Sequence, residues 1–259
     1  MNAPALSALL RARLVNHGTP ERAAREKRYL KSDLEHLGVR LPVLRQTARE
    51  LLREQDLALP ERLALTEELW SHPVFDMRQA AVQVLERSKD ELDTSHLAML
   101  EQLLRGARTW ALVDPLSTDV IGSIARRHAD ARAVLDRWIT DGDFWIRRAV
   151  LLAHLRSLRE HPDAATFEAF ATYADRVLDE REFFIRKAIG WVLREVGKRN
   201  PRLVIDWLAP RTHRASGVTM REAVKYLPPE DAERLMDAYR ARRPATRRPR
   251  GTQGGEGLT

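Results

Sequence analysis

Trp110 and Asp114 stand four residues apart in the stretch TWALVDPLSTDVIG at 109–122, in a chain otherwise rich in arginine and short of reactive groups. Residues i and i+4 share one face of a helix, so an indole plate and a fixed carboxylate can look out together over one surface. That combination suits a flat, positively charged ligand. Pro115 follows directly, and Asp before Pro is also the pattern of a helix start, with Asp as N-cap and Pro at the first helical position. On that second reading Trp110 is ordinary core.

Composition removes most other chemistries. With no cysteine in 259 residues, there are no disulfides, thiolate nucleophiles, iron–sulfur clusters or Cys-type zinc sites. The eight histidines are scattered, with no HExxH and no pair at i, i+4, so neither a metal nor any other cofactor is expected. Hydrophobic residues at 44% and charged ones at 31% exclude both a membrane bundle and a wholly disordered chain. No run approaches the roughly 18 apolar residues of a membrane span. The opening MNAPALSALLRARL reads as a first helix and not a signal peptide, because Arg11 and Arg13 recur at amphipathic spacing. A cytoplasmic monomer without membrane or metal partners is the expectation.

The net charge of +7 and pI near 10.1 point to a polyanionic partner. Residues 242–259 hold five arginines against Glu256, which is +4 of that total. This segment reads as a disordered basic tail, with residues 1–241 as one domain. Any claim on nucleic acid by the body therefore depends on where its Arg and Lys lie.

The elements that position Trp110 and Asp114 are helices. Leu, Ala, Arg and Glu dominate, apolar residues recur at three and four, and no window alternates as a strand does. Turn signals such as Gly18-Thr19-Pro20, Pro60, His72-Pro73, His161-Pro162, Asn200-Pro201 and Pro228-Pro229 divide the chain into about a dozen helices. Every second one carries the same pattern: an apolar residue, Arg, a polar residue, a small one, then an apolar stripe. It appears as LRQTARELL at 44–52, MRQAAVQVL at 77–85, IRRAVLLAHL at 146–155, IRKAIGWVL at 185–193 and MREAVKYL at 220–227. The small residues Thr47, Ala80, Ala149, Ala188 and Ala223 are spaced 33, 69, 39 and 35 apart. The 69 is a double step whose missing member falls near 114. Six helix pairs of this length predict an all-α fold, a curved α-solenoid of HEAT-like repeats with a basic concave face.

The shared arginines Arg45, Arg78, Arg147, Arg186 and Arg221 fit a structural ladder to carboxylates between repeats. The departures from the pattern are more telling. Arg148 fills the polar slot where its sisters have Gln46, Gln79, Lys187 and Glu222, and Trp191 sits where Gln83 and Leu152 stand. The third unit replaces the pattern with Trp110 and Asp114. A superhelix brings these four to one concave surface; Trp191 as plain core is the other reading.

With these residues in place, the chain resembles the AlkD-type DNA alkylation repair proteins, DNA glycosylases built from HEAT-like repeats. The resemblance runs from about Tyr29 to Asn200 and is carried by EKRYLKSDLEHLGVRLP at 26–42, TWALVD at 109–114, FWIRRA at 144–149 and EFFIRKAIGWVLRE at 182–195. It implies excision of positively charged N-alkylated purines, such as 3-methyladenine and 7-methylguanine, from duplex DNA. It further implies a catalytic set on Trp110, Asp114 and Trp191 together with Arg148, and DNA contacts at Tyr29 and Arg194. Arg148, Arg194 and the neighbouring Lys198 are expected to hold phosphates, and Arg147 and Lys187 complete the DNA-binding candidates. The lesion is expected to stay stacked, without a deep base pocket. The family carries a second Trp before the catalytic one and an acid after it, where this chain has Thr109 and Ala111. The rival readings are a non-catalytic DNA-binding solenoid and a protein-binding HEAT scaffold.

Overall fold

The structure, a computed structural model, describes residues 1–241. In chain order it runs through α1 (Ala3–Val15), α2 (Pro20–Leu30), α3 (Leu41–Gln55), α4 (Leu59–Ser71), α5 (Phe75–Ser88), α6 (Leu97–Ala107) and α7 (Trp110–Pro115). A π-helical turn, Leu116–Ile121, joins α7 to α8 (Gly122–Arg127). There follow α9 (Ala131–Trp138), α10 (Phe144–Ala153), α11 (Leu155–Glu160), α12 (Ala164–Val177), α13 (Phe183–Gly197), α14 (Pro201–Leu208), α15 (Gly217–Ala223) and α16 (Pro229–Ala241). Among the described residues the sole β-pairing is an isolated bridge between Glu35 and Val74.

The helix boundaries follow the local chemistry. Thr19 caps α2 by accepting the Arg22 N–H, with Pro20 at the first helical position. Asp143, Asp163 and Ser216 cap α10, α12 and α15 in the same manner. Pro60 and Pro201 open α4 and α14 where a missing N–H costs nothing.

The stack is an all-α solenoid. The patterned helices α3, α5, α10, α13 and α15 form an inner layer in which each packs on the next, and α7, the π turn and α8 occupy the vacant third place between α5 and α10. The repeat length reappears in the bonds between units. Gln79 reaches Ala111, Arg148 reaches Asp114, Arg147 reaches Glu180, Lys187 reaches Glu222 and Arg211 reaches Asp175, all between 32 and 36 residues away.

Leu, Ile, Val and Ala side chains from both layers make one continuous buried core. Each large one contributes about 1.5–3 kcal/mol. An exposed ion pair gives about 0–1 kcal/mol, so the apolar stripes hold the stack together and the charges set its register. Small residues permit the close approaches. A Cβ at Gly122 would lie 2.6 Å from the Ala153 carbonyl oxygen, and one at Gly190 would lie 2.7 Å from Glu222 Cβ.

The arginine ladder exists with different partners from those expected. Arg78 and Arg186 donate through Nε to the carbonyls of His72 and Glu180, and Arg147 through Nη1 to that of Asp141, each six residues earlier. Only Arg147 adds a carboxylate, that of Glu180, while Arg45 and Arg221 are exposed. A guanidinium has five donors and satisfies backbone carbonyls at the start of an inner helix as readily as it pairs with an acid. The tail at 242–259 lies outside the described residues.

Candidate active site on the inner face

Asp114 is not a helix cap. Thr109 holds that position, its backbone extended and its hydroxyl accepting the Ala111 N–H at 3.4 Å, and Pro115 lies inside the helix. The consequences of that proline shape the site. Pro115 has no N–H to offer the Ala111 carbonyl four residues back. Gln79 Nε2 on α5 donates to that carbonyl at 3.1 Å instead. The helix then widens, with the Gly122 N–H donating to the Ser117 carbonyl five residues back. Such single π turns relieve a break in the ladder without ending the helix. Leu112, Val113, Leu116, Ser117 and Val120 are buried, while Trp110, Asp114, Pro115, Thr118 and Asp119 form the opposite, half-open face.

On that face Asp114 meets Arg148. Arg148 Nε donates to Oδ1 at 2.8 Å and Nη2 to Oδ2 at 2.9 Å, while Nη1 donates to the Phe184 carbonyl at 2.6 Å. The Arg148 side chain is 3% exposed and that of Asp114 13%. This bidentate geometry is the strong form of an ion pair. It fixes the plane of the carboxylate and leaves each oxygen a second lone pair. Burial pushes the Asp114 carboxyl above the usual aspartate range, and the Arg148 hydrogen bonds and charge oppose that rise.

Aromatic side chains stand on the same layer as the pair. Trp110 is half-buried, with the exposed Tyr29 ring edge-on at 6.0 Å. Arg148 lies over the Phe184 ring at 5.8 Å. Trp191 is half-buried on α13, in register with Lys187, Arg194 and Lys198 along one face. A cleft of about 290 Å³ beside Trp110 is lined by Tyr29, Phe75, Asp76 and Gln79, among others. Asp114 is not one of its walls. A base lodged there would not have this carboxylate as a neighbour.

The cations expected to bind DNA have acidic companions that sequence reasoning passed over. Glu222 accepts from Lys187 Nζ at 2.5 Å and also pairs with Arg194. Glu195 accepts from Lys198 Nζ at 2.8 Å and from Arg159 at 3.2 Å. Burial pulls both carboxyls up, but these cations hold them below the usual range. Arg148, buried and committed at three nitrogens, anchors Asp114 and is not open to a phosphate. Arg147 is tied to Glu180 and Asp141. Glu222 was visible as a member of the polar slot; that it faces Lys187 across two helices was not.

One cluster among the described residues has metal-ligand composition, Glu26, His36 and Asp76. Asp76 accepts the Leu37 and Val39 N–H groups at 2.7 and 3.0 Å, and His36 Nδ1 pairs with Glu26 at 3.2 Å. The Asp76 bonds tie the segment between α2 and α3 onto α5, and the His36–Glu26 bond ties it back to α2. Within the described residues no helix is long and apolar enough to cross a membrane.

The described residues thus form an α-solenoid with a fixed carboxylate and half-buried indole side chains on its inner layer. Residues 10–227 match the family model of the DNA alkylation repair enzymes, and the chain belongs to that family. A solved structure titled a predicted DNA alkylation repair enzyme from Enterococcus faecalis has the same fold, with a TM-score of 0.73 at 22% identity over 82% of this chain and 98% of that one. A second, smu.31 from Streptococcus mutans UA159, gives a TM-score of 0.57 at 18% identity, covering 80% of this chain and 98% of that one. A search of curated proteins returns no match.

Proposed function

We propose that the chain is a monofunctional DNA glycosylase that hydrolyses positively charged N-alkylated purines, such as 3-methyladenine and 7-methylguanine, from duplex DNA. The observation that carries this reading is Asp114, held in plane by Arg148 on the open face of the third inner helix beside Trp110.

An alkylated purine is already cationic, so its bond to C1′ breaks without protonation. The bonding electrons pass to the base, which leaves neutral, and positive charge develops at C1′ and the ring oxygen. A preorganised carboxylate stabilises that charge most where water is excluded. The indole faces of Trp110 and Trp191 add cation–π attraction of about 0.5–2 kcal/mol each. Water then bonds to C1′ and loses its proton, leaving an abasic site. Arg148 acts as a positioning residue, keeping Asp114 ionised and oriented despite burial. Tyr29 extends the aromatic edge toward the strand, and Lys187, Arg194 and Lys198 border the same face.

Release of free base from duplex containing 7-methylguanine tests the reading. Asp114→Asn should slow excision by about 10²–10³-fold, the loss typical of removing one such electrostatic group, with duplex affinity changed less than threefold. Equal losses in excision and affinity would reassign Asp114 to binding. Neutral 1,N6-ethenoadenine should not be released; release as fast as 7-methylguanine would defeat the leaving-group argument.

A further inference from the structure

One other cleft of the inner face gathers cations that have no ion pair. A polar cleft of about 440 Å³ lies between α3, the end of α5 and the π turn, lined by Arg45, Arg49, Glu86, Arg87, Lys89 and Asp119. It belongs to the same face as the candidate site. Glu86 stands seven residues after the polar-slot Gln79, as Arg194 does after Lys187, and Asp119 is five residues beyond Asp114 on the half-open side of its helix. Elsewhere on this face, Arg147, Arg148, Arg156, Lys187, Arg194 and Lys198 each have a carboxylate within ion-pair distance. Among the described residues, Arg45, Arg49, Arg87 and Lys89 form no ion pair within 4.0 Å, although Arg45 and Lys89 act on Glu86 at longer range. Asp119 is engaged by Arg156 at 3.5 Å. Glu86 Oε1 is buried without a hydrogen-bond partner.

We infer that this cleft is a phosphodiester clamp, in which Arg45, Arg49, Arg87 and Lys89 hold the backbone of the DNA strand presented to Asp114. The inference rests on the glycosylase reading for the identity of the strand. Four cations converging on Glu86 and Asp119, the latter already engaged by Arg156, leave an excess of positive charge that a bound anion offsets. The cleft exceeds the size of a single phosphate and accepts a phosphate with its sugar. At about 1.5 Å per residue, Asp119 lies about 7 Å along the helix from Asp114. That is about two nucleotides along a strand with one phosphate per roughly 3.4 Å of duplex axis. Burial and the nearby Asp119 already hold the Glu86 carboxyl above its usual range, so the clamp disfavours negative charge on its own side chain. Its orphaned oxygen, once protonated, has a hydrogen to donate to a phosphate oxygen.

The test uses the full chain and unmodified duplex, with affinity measured across a salt series. Replacing all four cations by alanine should weaken duplex affinity at least tenfold and flatten the log–log salt slope by about 0.9 for each phosphate released, hence by one to two. Glu86→Gln, which removes a negative charge at constant shape, should tighten duplex binding severalfold. Arg202→Ala, at an exposed ion pair with Asp206, should change neither. An unchanged slope in the fourfold variant, or weaker binding by Glu86→Gln, overturns the clamp. So does a fourfold variant that loses affinity for inorganic phosphate in calorimetry but keeps its duplex affinity, since the cleft would then be a free-phosphate site. A wild type that binds duplex through these residues yet releases no base leaves the clamp standing and rejects the glycosylase.

Discussion

Asp114 carries two opposed demands: it must be buried enough for its charge to act strongly and ionised enough to have that charge. Burial raises its carboxyl and Arg148 opposes the rise, so the two residues form one functional unit with a pH signature. On the proposed glycosylase reading the ionised form stabilises the sugar cation, so excision should be lost as pH falls through the folded-state value. That value lies above the ordinary aspartate range of about 3.9, so the acid limb of kcat/KM should fall at higher pH than for a surface aspartate. Arg148→Lys, which keeps the charge but loses the two-point grip, should move that limb upward further. A limb at the ordinary carboxylate pH in both proteins would show that Asp114 is solvated during catalysis. The sequence made Asp114 and Trp110 legible as a pair because i, i+4 spacing is a property of one helix. It left the cap open as a second reading of Asp114, because Asp-Pro is a helix-start pattern and the actual cap, Thr109, is an equally ordinary residue five positions earlier.

Among the elements, the third inner helix is where the repeat gives up regularity for chemistry. Pro115 orphans the Ala111 carbonyl, Gln79 satisfies it from the neighbouring unit, and the π turn carries the chain on to Gly122. An unpaired buried carbonyl costs about 1–3 kcal/mol, so Gln79→Ala should lower the unfolding free energy by about that amount in chemical denaturation. Pro115→Ala restores an N–H that can reach Ala111 and lets the helix tighten. In that background Gln79→Ala should cost less than half as much, and excision should fall at least tenfold as Asp114 rotates from its place over the substrate. Additive stability losses would mean that Gln79 and Pro115 act independently. The recurrence of small residues at 33–39 spacing revealed the repeat and the vacant place near 114, because stacking units impose that period on the sequence itself. The π turn was hidden, since it depends on a glutamine from another helix. The acids facing Lys187, Arg194 and Lys198 were hidden for the same reason: their partners lie one repeat away or around a helix turn, and the pairing is set by superhelical register.

At the scale of the molecule, net charge overstates the grip of the solenoid and misplaces it. Many arginines of the described body are bound to acids of neighbouring units, as in the Arg211, Arg214 and Asp175 cluster linking α12 to the segment after α14. Cations without an ion pair include the four of the α3–α5 cleft, and by sequence the segment 242–259 adds an excess of +4. These two sources of charge have different consequences for recognition. The cleft stands a fixed distance from Asp114, so it sets which sugar meets the carboxylate. The terminal segment adds attraction that any duplex shares, lesion or not. Deleting 242–259 should therefore weaken binding to damaged and intact duplex by the same factor and flatten the salt slope by at most about 3.6, the value for four neutralised phosphates. The ratio of 7-methylguanine release to 3-methyladenine release should not move, because both reactions draw on the same Asp114 after binding is complete. Competition between lesion-bearing and intact duplex, read for the full and the shortened chain side by side, separates the two contributions. A change in that ratio would give the terminal segment a part in reading the lesion and remove the division of labour argued for the cleft.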